Sequence, residues 1–173
     1  MIYLAACSWT GGWWDSWGEI VELPSYMLVS DEFATRVADA PDIVYYTCDQ
    51  KALTDKLNTY GLKFPDNIYF AEESLFVIVI TDNLQEAFES LSIDPAERML
   101  LINLKVDSDS DSTPPKKMES GRKNSRILVI SCPPLKDIKS TVIKKANGVR
   151  HNVKREELKL SDEVHRFQPA SGL

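Results

Sequence analysis

The chain has 173 residues, a net charge of −6 and a hydrophobic content of 43%, which are typical of a globular protein that buries one core. Its apolar runs are far too short to span a bilayer, and its three widely spaced cysteines match neither a disulfide framework nor a zinc-binding pattern. We therefore expect a cytoplasmic protein with reduced thiols, without a metal, a cofactor or a membrane partner.

The N-terminal segment begins with a predicted strand, Tyr3–Cys7, followed by a loop that holds all four tryptophans of the chain. These are Trp9, Trp13, Trp14 and Trp17. Such a cluster is an aromatic platform for a base, a sugar or a partner side chain, or it closes one end of the core. We expect the second role, because tryptophan is highly buried on average.

Strand-to-helix units follow along the chain. Ser30 can cap a short helix over Asp31 to Asp39, and Ile43–Cys48 has the β-branched and aromatic residues of a buried strand. Asp49 then caps a helix with Leu53, Leu57 and Tyr60 on one face, and Gly61 is placed to end it.

The same logic predicts two further units. A short strand at Asn67–Phe70 precedes the apolar strand Leu75–Thr81, after which Asp82 starts a helix that carries Leu84, Ala87, Phe88 and Leu91. The strands Met99–Val106 and Arg126–Cys132 come next. Pro133-Pro134 opens the last helix, with apolar positions from Leu135 to Ala146, and Asn147-Gly148 closes it.

This order predicts an α/β or α+β protein, in which three to four helices pack on a central, mostly buried mixed sheet. Residues 43–106 also fit a ferredoxin-like split βαβ unit, and the choice between that and a doubly wound sheet stays open. We expect one domain over residues 1–148, with a mobile polar loop at 107–125 that contains an Asp-Ser repeat, and a polar C-terminal tail at 149–173 that packs at most in part.

The charges are sorted along the chain. Residues 1–113 contain 6 Lys and Arg against 20 Asp and Glu, whereas residues 114–173 contain 14 against 6. This sorting suggests an anionic partner for the basic part, or contact with the acidic part of the same chain. The candidate anion-binding residues are Lys116, Lys117, Arg122, Lys123, Lys136, Lys144, Lys145, Arg150, Lys154 and Arg155.

A second candidate site lies where predicted strands end. If the strands are parallel, their carboxyl ends share one edge of the sheet, which is where open α/β folds bind ligands. The residues of this ligand rim are Cys7, Ser8, Thr10, Gly11, Gly12, Asp49, Asp82 and Cys132.

The leading hypothesis is a non-catalytic binding or regulatory protein that contacts nucleic acid or an acidic protein through its basic C-terminal third. The first alternative is a small-molecule-binding domain or small enzyme that uses the ligand rim. The second is a protein-interaction module that uses the tryptophan loop. No catalytic residue is assigned in any of them.

Overall fold

The structure, a computed structural model, describes residues 19–36, 43–64, 74–108, 121–135 and 137–159. This part of the chain forms ten strands and one helix. They are β1 Val21–Leu23, β2 Tyr26–Arg36, β3 Ile43–Thr47, α1 Gln50–Thr59, β4 Leu75–Thr81, β5 Glu86–Asp94, β6 Met99–Val106, β7 Arg122–Cys132, β8 Ser140–Lys144, β9 Arg150–Asn152 and β10 Lys154–Glu157.

The strands form two sheets of five. Sheet 1 has the order β1-β5-β6-β8-β9, and sheet 2 has the order β10-β3-β4-β7-β2. Neighbouring strands are antiparallel except for the parallel pairs β6–β8 in sheet 1 and β3–β10 in sheet 2. The fold is therefore a mixed β-sandwich rather than a single sheet.

The main core lies between the two sheets. Alternate residues of the central strands β3 to β7 point inward, as the two-residue period of a strand requires. Sheet 2 supplies residues such as Val77 and Leu128, and sheet 1 supplies residues such as Leu91 and Ile102, all of them fully buried.

Helix α1 covers the outer face of sheet 2. Its Leu53 and Leu57 pack on Phe76, Ile78 and Val129, which alternate with the inward-facing residues of β4 and β7. Each such leucine contributes roughly 1.5–3 kcal/mol by burial. Because β4 is covered on both faces, its sequence is apolar throughout instead of alternating.

The chain crosses between the sheets at both lateral edges. Pro24 and Ser25 join β1 at one edge of sheet 1 to β2 at the edge of sheet 2. At the other edge, Val153 joins β9 to β10, and its N–H donates to the Thr141 carbonyl at 3.1 Å. Each sheet is thus tied to the other by a continuous strand segment.

The predicted α/β class is wrong, because three predicted helices are strands. Residues 31–36 belong to β2, residues 86–91 to β5, and residues 140–144 to β8. The apolar spacing that suggested a helix after Asp82 coexists with the alternation Ser90-Leu91-Ser92-Ile93, which places both apolar residues in the core. Burial against sheet 2 decides in favour of the strand.

Several local predictions are confirmed. The strands near 43–47, 75–81, 99–106 and 126–132 are present, and α1 begins after Asp49, whose Oδ1 accepts from the Ala52 N–H at 3.0 Å. The predicted strands Tyr3–Cys7 and Asn67–Phe70 lie outside the described residues. In the described part of the chain, no helix has the length and apolar character that a membrane crossing requires.

Candidate functional site at the charged end of the sandwich

The fold gathers basic residues that are far apart in sequence at one end of the sandwich. Strands β4, β6 and β8 end there, and β7, β9 and β10 begin there, as the registers Thr81–Arg126 and Lys144–Arg150 show. We call it the charged end. Its basic residues are Lys105, Arg122, Lys123, Arg126, Lys144, Lys145, Arg150 and Lys154.

Arg126 forms the interior of the charged end. Its side chain is 10% exposed, and its Nη1 donates to Asp107 Oδ2 at 2.7 Å and to the Glu86 carbonyl at 3.0 Å. Glu32 Oε1 lies 3.6 Å from Nη2. Arg126 belongs to sheet 2, whereas Glu86 and Asp107 belong to or follow strands of sheet 1, so this guanidinium joins the sheets.

Glu86 is the buried carboxylate of the charged end, with a residue exposure of 2%. The Thr81 hydroxyl donates to its Oε2 at 3.3 Å, and the Ala146 N–H donates to its Oε1 at 3.2 Å. These bonds satisfy both carboxylate oxygens, which a buried polar group requires. They link the end of β4, the start of β5 and the turn after β8.

Asp82 lies between two lysines at the surface of this network. Its carboxylate oxygens are 3.9 Å from Lys123 Nζ and 4.0 Å from Lys145 Nζ. Lys123 comes from β7 and Lys145 follows β8, so this contact also joins the two sheets. These two lysines therefore have a carboxylate partner within the molecule, although partly exposed pairs at this distance contribute little to stability.

Residues 144–150 form the hairpin between β8 and β9. The Gly148 N–H donates to the Lys145 carbonyl at 2.8 Å, the Lys145 N–H donates to the Val149 carbonyl at 2.9 Å, and Gly148 has a φ of 82°. This is a three-residue hairpin loop with glycine at the left-handed position. Asn147-Gly148, which predicted a helix end, is therefore a strand-to-strand turn.

Two like charges face each other at the base of this hairpin. Lys144 and Arg150 are cross-strand partners, an arrangement that is destabilising when both residues are cations. Within the described ranges, no carboxylate lies within 4.0 Å of either group, nor of Lys105 or Arg122. We call Lys105, Arg122, Lys144 and Arg150 the cationic rim.

The fold brings together six of the ten residues of the predicted anion-binding set. They are Arg122, Lys123, Lys144, Lys145, Arg150 and Lys154, with Arg155 one position further along β10. Lys154 forms an exposed ion pair with Glu156 at 2.6 Å, so it adds little free positive charge. Lys116, Lys117 and Lys136 lie outside the described residues.

Lys105 belongs to the rim but was missed, because it lies in the acidic part of the sequence. It is two residues beyond Asn103, on the outward-facing positions of β6, whose inward positions Leu100, Ile102 and Leu104 are in the core. The alternation of β6 predicts that Lys105 points outward. What the sequence does not give is the position of β8 beside β6.

The ligand rim does not assemble as expected. β3 and β7 run in the same direction, so Asp49 and Cys132 share the end opposite the charged end, but β4 between them is antiparallel and carries Asp82 to the charged end. Asp49 is used as the cap of α1. The other members, Cys7, Ser8, Thr10, Gly11 and Gly12, lie outside the described residues, as do Trp9, Trp13, Trp14 and Trp17.

The two described thiols are not activated nucleophiles. Burial raises the pKa of Cys132 to about 12, and the nearby Cys48 adds to this increase. Burial, followed by the Glu157 carboxylate, also raises the pKa of Cys48. Both thiols are therefore protonated at neutral pH, whereas a reactive cysteine needs a lowered pKa.

Comparison of the chain with protein-family models, with curated proteins and with solved structures finds no match.

Proposed function

We propose that the protein binds an anionic macromolecule, without catalysis, through the cationic rim. The observation that carries this proposal is the facing pair Lys144 and Arg150, which has no carboxylate near it in the described part of the chain. A phosphate placed beside both side chains would turn their mutual repulsion into two favourable contacts. Arginine and lysine are the side chains that most often contact nucleic acid phosphates.

Three acidic residues of the charged end support this proposal, because they are already engaged. Asp107 is paired with Arg126, Asp82 with two lysines, and Glu86 is buried under the hairpin. These three carboxylates thus have internal partners, while Lys105, Lys144 and Arg150 lie at outward-facing positions of sheet 1. The net charge of −6 for the whole chain would limit nonspecific attraction to polyanions.

Nucleic acid is the partner that we propose, and an acidic polypeptide is the alternative. Because described Cys48 and Cys132 are free thiols, we also propose that the protein acts in the reducing cytoplasm. Nucleic acid binding through phosphates would weaken steeply with salt, with a slope set by the number of phosphates neutralised.

The test is a titration with labelled duplex DNA and duplex RNA over a range of salt concentrations. We compare the wild type with Lys144→Glu/Arg150→Glu at the rim and with Arg98→Glu/Lys139→Glu as the control. Arg98 and Lys139 flank the opposite ends of β6 and β8, and they form no ion pair within the described ranges. Both double variants change the net charge equally, with one lysine and one arginine each.

We expect the rim variant to bind more weakly and its salt slope to be smaller by about two, and the control to change neither the affinity nor the slope. Equal losses in the two variants would show that only the overall charge matters, and would contradict a site at the rim. Binding of polyglutamate but of neither nucleic acid would make the partner an acidic polypeptide.

A further inference from the structure

We infer that Glu86 is the positioning residue of the cationic rim: its buried carboxylate fixes the β8–β9 turn to the body of the sandwich and so sets where Lys144 and Arg150 lie. This inference rests on the proposed function as far as binding is concerned. The anchoring of the turn is a separate claim with its own measurement.

Most of the backbone N–H groups of the turn that form a hydrogen bond donate within the turn itself. The pairing of β8 with β6 ends at Lys144, which lies beside Asn103. Beyond it, the N–H groups of Lys145, Gly148 and Val149 donate to acceptors within the turn itself. Among these backbone groups, the Ala146 N–H leads out of the turn, to Glu86 Oε1 at 3.2 Å, and the Lys145 side chain adds an ion pair with Asp82 at 4.0 Å.

Glu86 is itself fixed without the help of the turn. Its N–H donates to the Asn83 carbonyl at 3.2 Å, its carbonyl accepts from Arg126, and its Oε2 accepts from the Thr81 hydroxyl. These contacts come from the β4–β5 connection and from β7. The position of the Glu86 carboxylate is therefore set by contacts outside the turn, and its bond to the Ala146 N–H attaches the turn to it.

The hydrogen bond can be removed from either side. Glu86→Leu introduces an apolar side chain of similar size that accepts no hydrogen bond, whereas Glu86→Gln keeps an acceptor for the Ala146 N–H and places an amide donor beside the Thr81 hydroxyl. Neither Ala146 nor Asn147 has a positive φ, so the turn over residues 145–148 is of type I. Position 146 is where this turn type prefers proline, so Ala146→Pro deletes the N–H while keeping the turn.

The first measurement is amide hydrogen exchange of Lys145 and Gly148 in each variant. We expect exchange to be about tenfold faster in Glu86→Leu and in Ala146→Pro, the ratio expected for loss of one buried hydrogen bond, and to be near the wild-type rate in Glu86→Gln. Unchanged exchange in Ala146→Pro would overturn the anchoring role, and this variant decides the matter even if Glu86→Leu does not fold.

The second measurement is the affinity for duplex DNA. The direction in which the affinity changes in each variant distinguishes an effect of rim position from an effect of charge. Removing a carboxylate near the rim should strengthen polyanion binding if only charge matters. We expect Glu86→Gln to bind at least as tightly as the wild type, but Glu86→Leu and Ala146→Pro to bind several-fold more weakly. Equal affinity of Glu86→Gln and Glu86→Leu would overturn the positioning role. The two claims can fail separately. If exchange is faster in Ala146→Pro but Lys144→Glu/Arg150→Glu does not change DNA binding, the proposed function is rejected and the anchoring role of Glu86 stands.

Discussion

Arg126 is the residue on which the charged end depends most. It is buried with carboxylates from both sheets around it, and removing one partner of a buried ion pair leaves the other uncompensated. We expect Arg126→Met to lower the free energy of unfolding by about 3 kcal/mol in urea denaturation. Arg122→Met, an exposed arginine of the same strand, is the control, and a change within about 0.5 kcal/mol is expected there. Similar losses in both variants would mean that the network contributes little.

Two buried acids at the interface between the sheets should make the protein sensitive to alkali. Burial raises the pKa of Cys132 from 9.0 to about 12 and is the main cause that raises the pKa of Tyr46 from 10.0 to about 12. A raised pKa in the folded state means that the neutral form is favoured there. The stabilisation that comes from the Cys132 thiol is therefore fully present below pH 9. It is lost as the pH rises from about 9 to about 12, because in this range the thiol ionises in the unfolded chain but not in the folded protein.

We expect the free energy of unfolding to fall in this window by up to about 1.4 kcal/mol per pH unit for each group. Urea denaturation at a series of pH values measures this slope. Cys132→Ala should make the slope shallower, whereas Cys48→Ala, which changes an exposed residue, should alter it less. A slope that Cys132→Ala leaves unchanged would contradict this explanation, because it would show that the Cys132 thiol ionises to the same extent in the folded and unfolded states.

At the scale of the elements, the β8–β9 hairpin depends on one glycine. Gly148 has a φ of 82°, and a Cβ at this position would meet nothing within 4 Å. The effect of a substitution is therefore on the backbone alone. We expect Gly148→Ala to lower the unfolding free energy by about 1 kcal/mol, and Gly148→Asn to lower it less, because asparagine tolerates the left-handed region. Thermal unfolding of the two variants compares them, and equal values would contradict this explanation.

The same hairpin shows why part of the fold was missed. Thr141-Val142-Ile143 is a β-branched run, and the Asn147-Gly148 pair that follows is a strong hairpin signal. The apolar positions from Leu135 onward also match a helical spacing, which predicts a helix and conflicts with these strand signals. Helix α1 could be predicted because Asp49, its apolar face and Gly61 all indicate the same element.

At the scale of the molecule, the sequence predicts which strands are buried but not what covers them. The apolar run of β4 correctly indicates that both faces are covered. The sequence pattern predicts helices on both faces, whereas sheet 1 covers one face and α1 the other. Local patterns do not encode this choice, because it depends on contacts between strands of different sheets, such as β4 and β6.

The candidate site could likewise be predicted only in part from the sequence. The excess of basic residues after position 114 could be counted from the sequence, and it led to most of the cationic rim. The separation of that set into cations with carboxylate partners, such as Lys123 and Lys145, and outward-facing ones, such as Lys144 and Arg150, depends on sheet register. Lys105 joins the rim only because β6 lies beside β8.

The crossing of the chain at Val153 determines how a force applied at the rim would be distributed. Arg150 begins β9 in sheet 1, and four residues later the same stretch of chain pairs with β3 in sheet 2. A partner that pulls on the hairpin therefore transmits force through the backbone to both sheets. The hydrogen bonds between β10 and β3 would be stressed together, and not one after another. Because the hairpin is continuous with strands of both sheets, tension on it would act on both sheets together and would not separate one from the other.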